Sequence, residues 1–477
     1  MRRIFLVFLL LFTGGMGLWT AAAPFFNLTV RRDPQVEKIV AAVSAESIRQ
    51  SVKALVGFHS RHSASAQDHP TRGTGAAARW IRSRFEEYGR AAGGRLKVEF
   101  DAFDQTMPRM NDRTLRFVNV VARLPGRRPE RMLVVAGHYD SLAFGVEPDD
   151  FQPGANDDAS GTAAVLELAR VMSPHEFDAT LVFIAFAGEE VGLVGSRHWA
   201  RQARDKGWRI EAMITNDIIG NIEGGNGVID NNSLRVFSEG PPAGPSPATS
   251  EGPPAGEDAD PPPARRTAAS EVDSPSRQLA RYIKEKGEAY LPNFTVRLIY
   301  RRDRFGRGGD HVPFNEAGYA AVRLTEANED YRRQHQRVRE EQGIRYGDLP
   351  DKVSYPYAAQ VTRVNAAALA SLALAPAPPE PVSISGGGRY DTTLRWPVPD
   401  DPRVAGYNVL LRETDAPVWQ RKLFYPKASL DVQDGTATVV LKNVVIDNYF
   451  FAVQAVDGRG NESLPVFPRP APRRRTR

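Results

Sequence analysis

Met132-Leu133-Val134-Val135-Ala136-Gly137-His138-Tyr139-Asp140 is the stretch from which the fold is read. Five apolar residues in succession, with no polar alternation, fit a strand covered on both faces. The run halts at Gly137, and a histidine and an aspartate follow close behind. The pattern recurs downstream. Residues 181–187 form a second such run and end in Gly188-Glu189-Glu190, and residues 210–216 read as a further strand that ends in Asn216-Asp217. Between and after them, residues 162–172 and 192–203 carry helical signals, and 319–324 reads as a further strand. Buried strands alternating with helices predict an α/β/α sandwich around a mostly parallel sheet. Such sheets bind ligands at the carboxyl ends of their strands, which is where these acidic and histidine residues fall. Asp157 lies in the intervening loop Gly154-Ala155-Asn156-Asp157-Asp158-Ala159-Ser160-Gly161, with Ser160 the expected cap of the next helix. Its neighbour Asp158 reads as either a cap or a solvent-facing residue.

Working outward, residues 34–95 read as helical, 96–103 and 115–124 as strands, and 275–287 as a helix. Residues 239–273 are rich in Pro, Gly, Ala and Ser, and the heptad Ser238-Glu239-Gly240-Pro241-Pro242-Ala243-Gly244 returns letter for letter at 250–256. That composition predicts a disordered surface insertion. A Pro-rich linker follows at 376–380, and residues 381–468 carry short β-like runs separated by turns, the pattern of an all-β sandwich. Residues 1–26 open with Arg2-Arg3, a nine-residue apolar run and Ala21-Ala22-Ala23, which predicts a signal peptide or an uncleaved N-terminal anchor and hence export. The chain would then be periplasmic, secreted or membrane-anchored facing outward.

The bulk numbers narrow the function. At 477 residues, with 42% hydrophobic and 25% charged, two or three globular domains are expected. A net charge of +5 is small for that length, and part of it sits in the basic tail, residues 469–477. No aromatic-basic interleaving supports nucleic-acid binding. The absence of cysteine removes disulfides, thiolate metal ligands and thiol nucleophiles together. Imidazole and carboxylate donors in one place suit a borderline cation such as zinc, and an Asp able to bridge two ions suits a paired-metal hydrolase.

Placed in order, the clusters resemble the co-catalytic zinc metallopeptidase family of leucyl-type aminopeptidases, glutamate carboxypeptidases and glutaminyl cyclases. The matching stretches are Gly137-His138-Tyr139-Asp140-Ser141, residues 153–161, residues 186–196, Asn216-Asp217 and Asp310-His311-Val312-Pro313-Phe314. The resemblance covers about residues 34–375 and implies the phosphorylase/hydrolase-like zinc-peptidase fold. It implies two zinc ions held by His138, Asp157, Glu190, Asp217 and His335, with Asp157 bridging. It also implies Glu189 as general base and Asp140 as the carboxylate that orients the His138 imidazole. A hydroxide shared between the ions would attack a peptide carbonyl. The setting of His335, Glu329-Asp330-Tyr331-Arg332-Arg333-Gln334-His335, departs from the family pattern, in which an aromatic stands closer before the histidine. His311 reads equally as pocket-lining or as structural.

The expected activity is removal of N-terminal residues from peptides. The alternatives are a carboxypeptidase or dipeptidase, a glutaminyl cyclase, or a non-catalytic binding protein. Residues 381–468 resemble a fibronectin type III domain, expected as a spacer or as a binder of protein or carbohydrate. If the α/β domain is self-sufficient, hydrolysis of small substrates survives deletion of residues 376–477.

Overall fold

The computed structural model describes residues 31–241 and 272–471. The expected leader, most of the Pro- and Gly-rich insertion and the arginines of the tail lie outside them. Among the described residues no helix is long and apolar enough to cross a membrane.

Eight strands make one mixed sheet: β1 (Lys97–Met107), β2 (Arg113–Leu124), β3 (Arg128–His138), β4 (Ala179–Phe186), β5 (Arg209–Asn216), β6 (Ser233–Ser238), β7 (Thr295–Ile299) and β8 (Ala321–Glu326). Their order is β1-β2-β4-β3-β5-β8-β6-β7. The centre, β4-β3-β5-β8, is parallel, while β1, β2 and β6 pair antiparallel with their inner neighbours. The apolar runs are explained by position, since β4 is buried at every residue.

Helices cover both faces: α1 (Pro34–Ala41), α2 (Ala45–Gly57), α3 (Gly73–Ala91), α4 (Ala159–Met172), α5 (Val194–Asp205), α6 (Pro275–Tyr290), α7 (His311–Glu316) and α8 (Tyr355–Leu374). Pleating sends Leu133 and Val135 to one side, against Leu166, Ile283 and Leu369. Val134 and Ala136 go to the other, against Trp199 of α5 and Phe314 of α7.

The structure changes three local expectations and adds one helix that the sequence did not announce. The helical stretch 34–95 is three helices, broken over 58–72. The strand expected at 319–324 runs Ala321–Glu326. α4 is capped by Asp158, whose carboxylate accepts from Gly161 N, and not by Ser160. Ser160 instead donates to the Asn156 carbonyl at 2.7 Å and accepts from Ile219 N at 3.1 Å. Finally, α8 gave no amphipathic signal because 16 of its 20 residues are buried, leaving no polar face to read.

Beyond the linker, a five-stranded sheet and a three-stranded sheet share a core of Leu394, Trp396, Tyr407, Val409, Phe451 and Val453. This unit meets the α/β domain through buried charges. Asp178 contacts both Arg131, at 2.6 Å, and Arg403. Asp273 lies between Arg281, at 2.5 Å, and Arg412. Glu462 joins Lys286 at 2.6 Å to Lys422 at 2.8 Å. The linker is held where it begins, Arg131 donating to the Ala375 carbonyl at 2.9 Å.

Candidate metal centre and active site

Three adjacent parallel strands deliver the chemistry. His138 ends β3, Glu189 and Glu190 follow β4, and Asp217 follows β5, so all four stand on the carboxyl edge of the sheet. Asp157 arrives from the loop before α4. His335 comes from a turn far along the chain, in a left-handed conformation (φ 55°), with its carbonyl accepting from Phe144 N at 3.0 Å.

The side chains converge around Asp157. Its Oδ1 is 3.3 Å from His138 Nε2 and its Oδ2 is 3.0 Å from His335 Nε2. Glu190 Oε2 stands 2.9 Å from His335 Nε2 on one side. On the other, Glu189 Oε2 and Asp217 Oδ1 are 4.0 and 3.9 Å from His138 Nε2. His138, Asp157 and Glu190 form one compact donor group, and His138, Glu189 and Asp217 a second.

Asp140 acts on two fronts. Its backbone carbonyl is 3.2 Å from His138 Nδ1, which places the proton there and leaves the Nε2 lone pair facing the cluster. Its carboxylate, 3.5 Å from the same nitrogen, accepts from the backbone N–H of Glu189 at 3.1 Å and of Glu190 at 3.2 Å. It therefore sets the turn carrying both glutamates as well as the ring. Asp158, left open from sequence, is fully buried and gathers three loops. It accepts from His138 N at 3.0 Å, Gly161 N at 2.9 Å and Ile218 N at 3.2 Å. His311 is buried, its Nε2 donating to the Arg302 carbonyl at 2.7 Å and standing 3.6 Å from Asp303 Oδ2.

The donors fit a metal on two counts. His138 Nε2 and Glu190 Oε1 are buried without hydrogen-bond partners. The electrostatics are also those of a site with surplus negative charge. Burial pushes Glu190 up to about 7, with Asp157 adding to it, and pushes Glu189 well up. Burial works against a charged His335, yet Glu190 and Asp157 raise it to about 11. The His138 imidazole is likewise raised, by Glu189, Asp140 and Asp157 against its burial. Dications satisfy such a pocket of imidazole and carboxylate.

The sequence model of peptidase family M28 matches residues 119–238. A probable zinc metalloprotease of Pyrenophora teres f. teres is 38% identical over 442 residues, covering 92% of this chain and 88% of the relative. The chain belongs to peptidase family M28. A probable zinc metalloprotease of Leptosphaeria maculans is 37% identical, with 92% and 97% of the two chains covered. The crystal structure of the Legionella pneumophila LapA aminopeptidase aligns with a TM-score of 0.50 at 19% identity, over 72% of this chain and 76% of that one, a likeness of fold. The protein is thus a zinc metallopeptidase with a mixed α/β fold.

Three residues that support this peptidase's site were missed in the sequence. Asp348 accepts from the backbone N–H of Asn156 at 2.8 Å and of Asp157 at 2.7 Å, fixing the Asp157 loop. Arg323 pairs with Asp217. Arg61, 1% exposed, donates to the carbonyls of Leu55, Tyr139, Pro153 and Gly154 at 2.7–3.1 Å, binding the His138 and Asp157 loops together. Burial lowers its guanidinium to about 10 against the nearby carboxylates. Only Arg323 left a sequence signal, a charge in the middle of an apolar strand. Arg61→Met should cost at least about 3 kcal/mol in a urea melt, because four buried carbonyls lose a charged donor.

Proposed function

We propose that the peptidase is an exported aminopeptidase holding two zinc ions. The observation that carries this reading is the Asp157 carboxylate, whose two oxygens face two different imidazoles, with a further carboxylate beside each. His138 and Asp217 would hold one ion, Glu190 and His335 the other, with Asp157 between them. When bound, the ions supply Lewis-acid polarisation of the scissile carbonyl and lower the proton affinity of water.

The remaining work falls to the chain. Glu189 keeps 13% of its side chain accessible against 5% for Glu190, so it is the glutamate able to meet water and substrate. It takes a proton from water on a carboxylate oxygen and returns it to the leaving amine. Asp140 positions both glutamates.

A free α-amine fits this site better than an α-carboxylate. Asp310 is 1% exposed, lies beside the Ser196 hydroxyl, and is pushed up to about 7 by burial and by Asp217 and Asp140. Arg323, the guanidinium against Asp217, is fully buried and already bonded. The leader-like residues 1–26 support export.

A panel of aminoacyl p-nitroanilides and their N-acetylated counterparts tests the reading. Cleavage confined to free amines is expected, lost with a chelator and restored by zinc. Equal cleavage of blocked substrates would remove the aminopeptidase assignment while leaving the metallopeptidase intact.

A further inference from the structure

Arg323 sits in the middle of β8 and is fully buried. Its Nη2 is 2.8 Å from Asp217 Oδ1, the same oxygen that faces His138 Nε2. Its Nη1 donates to the Gly308 carbonyl at 3.0 Å and stands 3.6 Å from Asp303 Oδ2. Gly309 closes the far side, where an added Cβ would meet Nη1 at 2.9 Å, so the guanidinium is packed in place. Asp303 is itself held by Arg304, its Oδ1 accepting from Arg304 N at 2.6 Å. A fixed positive charge is therefore shared between Asp303 and one carboxylate of the zinc centre. The other end has no such guest. Glu190 Oε1 is unpartnered, and Glu190 Oε2 meets His335.

Resting on the two-zinc reading, we propose that Arg323 is a positioning residue that sets the affinity of one metal position only. By occupying Asp217 Oδ1 it restricts that carboxylate to partial donation and places a cation beside the ion bound by His138 and Asp217. An outer-shell partner that accepts from a ligand raises the ligand's basicity. A guanidinium paired with a carboxylate oxygen does the reverse, and its fixed positive charge would oppose a dication held by that carboxylate. Arg323 thus keeps that position weaker than the donors Asp217, His138 and Asp157 would make it alone.

Zinc titration of the chelator-stripped full chain by calorimetry, with mass-spectrometric stoichiometry, tests this without reference to activity. Wild type should show two steps. R323Q, which keeps a hydrogen-bond donor near Asp217 but loses the charge, should tighten one step by roughly tenfold or more and leave the other within about threefold. R323K, which keeps the charge, should titrate like wild type. D303N, which strips Arg323 of its other counter-charge, should weaken the step that R323Q tightens. The proposal is overturned if R323Q moves neither step or weakens that step. Should R323Q fail to fold by circular dichroism, D303N decides: a weaker step supports the role and an unchanged one removes it. Fewer than two zincs in wild type would defeat the two-zinc reading itself, a result distinct from two steps that ignore Arg323.

Discussion

Glu189→Gln should lose hydrolysis by roughly 10²- to 10⁴-fold in kcat while its zinc content stays at the wild-type level. Gln has the same shape and keeps the backbone N–H that Asp140 holds at 3.1 Å, so the turn after β4 is preserved. What it lacks is an oxygen that can receive and release a proton. Glu189 Oε2 is 4.0 Å from His138 Nε2, whereas Glu190 Oε2 is 2.9 Å from His335 Nε2 and pressed into the donor group around Asp157. Glu190→Gln should accordingly lower the zinc content first and activity as a consequence. Running both variants through metal analysis and single-turnover kinetics separates a base from a ligand. If E189Q lost zinc and E190Q kept it, the two roles would have to be exchanged. Full activity in E189Q would move the base to another carboxylate, with Asp310, whose charge acts on Glu189, a candidate.

Glu462→Ala should destabilise the folded protein by about 3–5 kcal/mol, more than any exposed substitution in the C-terminal unit. Glu462 bridges Lys286 and Lys422 and accepts from Asn408 Nδ2 at 2.8 Å. Both lysine side chains are buried, at 2% and 8% exposure, so removing the carboxylate leaves two ammonium groups to share Glu285, 2.8 Å from Lys422 and 3.6 Å from Lys286. The pH dependence follows from the same residue. Burial would raise its pKa, but Lys286 and Lys422 more than offset this and hold it at about 2. A depressed carboxylate contributes its full stabilisation above its unfolded value near 4.3 and loses it as pH falls toward 2. Acid melts of wild type should thus weaken between about pH 4 and 2, and Glu462→Ala should flatten that part of the curve. Removal of residues 381–477 is expected to be milder than this single change. It returns Lys286, Arg281 and Asp178 to water instead of stranding them. Among the described residues, Leu464 alone reaches from beyond the linker to pack on the main α/β core. Hydrolysis of small substrates by the truncated chain checks this, and an insoluble product would show that the interface completes the α/β domain.

Periodicity and residue type made much of this protein legible before any tertiary information. The apolar runs at 132–136 and 181–187 announced parallel strands because a strand buried on both faces has no polar alternation, and 210–216 read as a further strand beside them. A histidine or a carboxylate just past each run announced a cation site, because parallel strands bring their carboxyl ends to one edge. What remained hidden depends on distance through space. α8 is buried on all sides, so its sequence shows no face, and the break within 34–95 falls where three helices pack separately. Asp348 looks like any loop aspartate until its carboxylate is seen beneath the Asn156 and Asp157 amides. Arg61 reads as a surface charge until four carbonyls close around it. That Asp157 faces both His138 and His335, that Arg323 grips Asp217, and that Glu462 holds two lysines were decided only when the sheet and its helices packed. A local pattern encodes which face is buried and which donors are present, whereas the partner of each buried charge is set by elements brought together from distant parts of the chain.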